Sequence, residues 1–91
     1  MNFLLVCVID RDITVTKHYS YMFAFDRLKR EISAVMGISL EEVENIIEHQ
    51  YGDGPGFHID KYSAWATPDD GCGGERECDW AIYDLSHIPP V

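Results

Sequence analysis

Basic side chains are the scarce component of this 91-residue chain: seven Lys/Arg stand against sixteen Asp/Glu, a formal net charge of −9. The shortage is uneven. Residues 1–36 hold five Lys/Arg and four Asp/Glu, a net of +1, whereas residues 37–91 hold two and twelve, a net of −10. So little base argues against direct binding to DNA, RNA or an anionic membrane, where phosphate repulsion would oppose contact. It leaves a basic protein surface, a cation or solvent as the counterpart of the charge.

Other absences narrow the reading. No stretch approaches the roughly 20 apolar residues of a membrane helix. The apolar run Phe3 to Ile9 lacks a basic leader and a small-residue cleavage site and stops at Asp10-Arg11-Asp12, so it reads as a buried strand and not as a signal peptide. Three cysteines is an odd number, which fits a reducing cytoplasm better than a disulfide scaffold. There is no linker, repeat or low-complexity tract. No nucleophile elbow, metalloprotease pattern or P-loop occurs, and His18, His49, His58 and His87 are scattered. The expectation is a protein that acts by binding, not an enzyme, and without a cofactor.

A length of 91 residues and 46% hydrophobic content supply one domain with its own core. Phe3 to Ile9 and Ile13 to Lys17 read as two strands joined by the short turn at Asp10. From Ser20 the period changes: Tyr21, Phe25, Leu28, Ile32 and Val35 share one helix face, with Ser20 as cap and Gly37 as stop. Ser39-Leu40-Glu41-Glu42 is a capping box, Ile38 and Val43 form its hydrophobic staple, and Leu40, Val43, Ile46 and Ile47 make the apolar stripe. Gly52 to Gly56 is a turn cluster; following a helix and leading into a strand, it is the wrong way round for a phosphate cradle. Phe57 to Thr67 reads as extended chain with a break at Asp60-Lys61. Pro68 to Cys78 is a polar loop made mobile by glycine, and Trp80 to Leu85 is a last strand pairing with 62–67. The expected fold is α+β, β-β-α-α-β-β: a mostly antiparallel sheet with both helices packed on one face and the N-terminal strand central. The chain 1–91 is one acidic domain, with 88–91 a disordered tail.

The carboxylates are the candidate site. Glu41, Glu44 and Glu48 line one side of the second helix at steps of about 4.5–6 Å, comparable to the phosphate spacing of a nucleic-acid strand. Glu44 and Glu48 form an i,i+4 like-charge pair that costs a few tenths of a kcal/mol. Asp53, Asp60, Asp69, Asp70, Glu75, Glu77 and Asp79 extend the charge over neighbouring loops. Such a surface suits a basic partner and steers its approach. The aromatics Tyr51, Phe57, Tyr62, Trp65, Trp80 and Tyr83 crowd the same half; most are expected in the core, and Trp65 or Tyr62, if exposed beside the carboxylates, becomes an anchor for a protein partner. Two alternatives stand beside this. Cys72 and Cys78 with His58 would make a small metal-binding module, although a Cys-x5-Cys spacing is wide for zinc; Cys72 and Cys78 are otherwise a disulfide pair or inert. A structural or accessory oligomer subunit would use acidity for solubility and its helices or sheet as an interface.

In size, acidity and lack of catalytic motifs the chain resembles, as a type, the small inhibitors encoded by phages and mobile elements, including anti-CRISPR and other nucleic-acid-mimic proteins. The resemblance implies an inhibitor that occupies a basic surface of a nucleic-acid-handling protein. No motif carries it, so no residue role follows from it.

Overall fold

The structure is a computed structural model and describes residues 2–87; the expected tail 88–91 lies outside them. Its elements are β1 (Phe3–Ile9), β2 (Asp12–His18), α1 (Tyr21–Met36), α2 (Leu40–His49), β3 (Asp53–Gly54), β4 (Phe57–Ile59), β5 (Ser63–Ala66), β6 (Cys78–Asp84) and a 3-10 turn (Leu85–His87). All six strands join one open antiparallel sheet in the order β2-β1-β6-β5-β4-β3. The expected α+β architecture is present, with both helices on one face.

The local signals act as their chemistry demands. Ser20 Oγ accepts from the Phe23 N–H and Gly37, at φ 67°, closes α1. Ser39 Oγ accepts from the Glu42 N–H at 3.1 Å, the hydroxyl half of the capping box. The β1–β2 turn is tighter than the expected three residues: Asp10 and Arg11 both have positive φ, 49° and 81°, as the I′ class of two-residue hairpin turn requires. Their strain is offset by a clamp, because the Asp10 carboxylate accepts from Arg76 Nε at 2.8 Å and from the Glu77 N–H at 3.1 Å.

The interruption expected at Asp60-Lys61 is present as a full turn, since Asp60 N–H donates to the Ser63 carbonyl, and it divides 57–67 into two strands. This resolves the register: Phe57, Ile59, Ala64 and Ala66 face the helices, while His58 and Trp65 face away. The turn cluster contains a further two-residue strand, β3, paired with β4. The 68–77 loop is held by its own groups: Asp70 Oδ1 accepts from the Cys72 and Gly74 N–H, Asp69 Oδ1 from the Gly71 N–H, and Arg76 N–H donates to the Pro68 carbonyl.

The core lies between α1, α2 and the helix-facing side of the sheet: Leu5, Cys7, Phe57, Ile59, Trp80 and Ile82 meet Ala24, Leu28, Ile32 and Val43. Trp80, the largest fully buried side chain, is flanked across the ladder by the small Cys7 and Ala64, which leave room for the indole. Its Nε1 has no acceptor among the described residues, a cost of about 1–3 kcal/mol that the ring's burial must exceed. β1 is interior as expected, yet only its odd residues are covered. Leu4, Val6 and Val8 on the other face are half-buried, because two helices provide a single covering layer.

Candidate protein-binding surface

The uncovered face of the sheet has a definite composition. Residues directly opposite across a ladder share a face, so one row runs Ile13, Val8, Asp79, Trp65, His58 and Asp53 from edge to edge. The next row is Val15, Val6, Ala81 and Ser63, and the next Lys17, Leu4 and Tyr83. Trp65 and Tyr83 are about half exposed, at 44% and 51%. Trp65 thus sits beside Asp79 on one side and His58 on the other. Tyr62 is exposed on the following turn, edge-on to Tyr21 at 5.3 Å, and Tyr51 is 89% exposed. Only Phe57 and Trp80 of the six aromatics in this half enter the core.

The ten nominated carboxylates do not form one continuous face. Glu41, Glu44 and Glu48 lie exposed on α2, in the helical layer. Asp53 and Asp79 lie on the opposite, uncovered face of the sheet. Asp69, Asp70, Glu75 and Glu77 occupy the β5–β6 loop. Four of the ten have a basic side chain against them. Lys29 Nζ of α1 meets Glu44 at 3.2 Å, and His49 lies 3.9 Å from Glu48. His58 is held between Asp53 (Nδ1, 2.5 Å) and Asp60 (Nε2, 2.9 Å). The hydrogen bond to Asp60, and then that to Asp53, raises the His58 pKa above its ordinary 6.5, against the opposing effect of burial. Glu41, Asp69, Asp70, Glu75, Glu77 and Asp79 have no cation within 4.0 Å among the described residues, and all are exposed. The unneutralised charge is therefore densest in residues 69–79, where Arg76 is already committed to Asp10. That guanidinium, followed by the Glu77 N–H, holds the Asp10 carboxyl below its usual range.

The proposed metal ligands are kept apart. Cys78 points into the core with Ala66 and Phe57, His58 projects from the other face of the sheet, and Cys72 is exposed in the loop. Among the described residues no three His, Cys, Asp or Glu side chains are grouped to hold a metal ion. All three thiols are free. Burial, with Glu31 nearby, pushes the Cys7 thiol up to about 12, and burial also raises Cys78. Neither is a thiolate at neutral pH. No helix of the described residues is long and apolar enough to cross a membrane.

Sequence reasoning passed over the uncovered apolar face. Its signal was the alternation Ile13-Thr14-Val15-Thr16, which puts two β-branched apolar residues on one side of β2. No protein-family model, no curated protein and no solved structure matches the chain.

Proposed function

We propose that this protein acts by binding, and that its partner is a protein with a basic surface of the kind that holds nucleic acid, which it occupies as a competitor. One observation carries the reading: the five carboxylates Asp69, Asp70, Glu75, Glu77 and Asp79 stand exposed with no cation within ion-pair distance among the described residues. An isolated domain gains nothing in stability from such a cluster, whereas a cationic partner converts it into association rate and specificity. Trp65, beside Asp79, supplies the apolar anchor that pure charge lacks. Functionally this groups the protein with the phage and mobile-element inhibitors, anti-CRISPR proteins among them, that it resembles in size and charge.

The test is competition. The immobilised protein is exposed to nuclease-treated lysate at low and high salt, and retained proteins are then challenged with single- and double-stranded oligonucleotides. The reading expects nucleic-acid-binding proteins, released by salt and displaced by oligonucleotide. Glu75, Glu77 and Asp79 reversed together to Lys should abolish retention. Reversal of Glu41, Glu44 and Glu48 should weaken it less, since Glu44 and Glu48 already face a basic side chain. Retention unaffected by salt, or by the 75/77/79 reversal in a variant with an unchanged circular dichroism spectrum, refutes it.

A further inference from the structure

We infer that the outer edge of β2 is a homodimer interface, in which two copies pair β2 with β2 antiparallel about Val15 and join their sheets into one. The first ground is the contrast between the two sheet edges. β3 ends the sheet with two residues and offers a second chain almost nothing. β2 ends it with seven, Asp12–His18, paired in unbroken register with β1 on one side and, among the described residues, with no strand on the other. It contains no proline or bulge, and its charges, Asp12 and Lys17, stand towards its two ends and leave Ile13 to Thr16 uncharged.

The second ground is where apolar surface is exposed. Of the nine large hydrophobics exposed among the described residues, Ile13 and Val15 lie on β2, Tyr19 on the link to α1, and Met22 and Phe23 in the first turn of α1. Ile13 is 68% and Val15 52% exposed on the uncovered face. On the helix side Tyr19 and Phe23 line a groove of about 440 Å³ beside His18. The edge is thus flanked by apolar side chains on the uncovered face, and on the helix side by two aromatics set among Asp26, Arg27 and Arg30.

The third ground selects a second copy as the occupant. An antiparallel pairing centred on Val15 places Asp12 opposite the other copy's His18, Ile13 opposite Lys17, Thr14 opposite Thr16 and Val15 opposite itself. Each opposition is favourable: an acid with an imidazole, a branched side chain with a lysine stem, two threonines, two valines. No like charges meet. The edge also belongs to the half of the chain with a net charge of +1, while β3, β4 and β5, from the half carrying −10, lie at the far side of the sheet. Approach through β2 therefore keeps the two acidic regions apart, and the resulting two-fold contact is closed. The inference does not rest on the competitor role; mass and partner retention are read separately.

The test is the solution mass by light scattering coupled to size exclusion, with sedimentation velocity over a concentration series. The expected mass is twice the 10.4 kDa of the chain, retained at high salt. Val15→Lys, which sets two ammonium groups against each other at the axis, should return the mass to that of one chain. Asp12→Lys should weaken the dimer at least tenfold, and Asp12→Lys with His18→Glu should restore it, which guards against a variant that merely fails to fold. A wild-type protein that stays monomeric across the series, a dimer untouched by Val15→Lys, or β2 amides that bind only a foreign strand overturns the inference.

Discussion

Replacing Gly52 by alanine should cost far more than replacing Gly37 by alanine, although both glycines have left-handed backbones. Gly37 ends α1 at φ +67°, and a Cβ there meets nothing within 4 Å. The cost of Gly37→Ala is the conformational penalty alone, about 1 kcal/mol. Gly52 has φ +82°, so it carries the same penalty, but its Cβ would stand 2.1 Å from the Ile59 carbonyl oxygen. That oxygen belongs to the backbone of β4 and cannot rotate away. Displacing Ile59 also strains the bond from its N–H to the Gly52 carbonyl (3.0 Å), worth about 1 kcal/mol. It partly unseats a side chain that is 4% exposed, whose full burial is worth about 1.5–3 kcal/mol. The sum is about 3–4 kcal/mol, against a total stability of roughly 5–14 kcal/mol for a chain of this length. Urea denaturation of the two variants, followed by tryptophan fluorescence, gives the difference directly. Equal losses at Gly52 and Gly37 would refute the seating of the α2 terminus against β4.

Two further outcomes follow from the side-chain environments. His58 has a folded pKa raised above 6.5, so its carboxylate contacts stabilise fully below that value and are lost as pH rises through the folded pKa. The stability difference between wild type and His58→Gln should therefore be larger at about pH 5.5 than at about pH 8.5, and a gap independent of pH would show that Asp53 and Asp60 do not hold the imidazolium. Among the cysteines, Cys72 is exposed while Cys7 and Cys78 are buried with raised pKa values. A thiol reagent should label one site in the native protein and three in denaturant; rapid native labelling of all three would mean that the β1–β6 core opens readily.

The helices were legible because their determinants are local. Ser20, Gly37 and Ser39 act on backbone groups within four residues, and the apolar stripes need only the helical period. The hairpin breaks were less legible. Asp60 and Lys61 interrupt the alternation, but whether that is a bulge or a full turn depends on the bond between Asp60 and Ser63. β3 was invisible, since a two-residue strand of Asp and Gly has no pattern and exists only because β4 folds back on it. The acidic stripe of α2 is exposed, as its spacing predicts, yet its like-charge pair is relieved by Lys29, fifteen residues before Glu44 on another helix. Spacing within one helix carries no trace of that neighbour.

The chain by itself determined its elements, its α+β class and its charge asymmetry, because caps, periods and formal charges are properties of short segments. Tertiary structure decided which surfaces those elements leave open. Pairing β1 with both β2 and β6 put Ile13, Val15, Trp65 and Tyr83 on one face, and two helices could cover only the other. Strand order then sent β2 to one edge and the acidic strands to the other. Faces and edges arise from contacts between residues distant in sequence, so they are settled only when the sheet assembles.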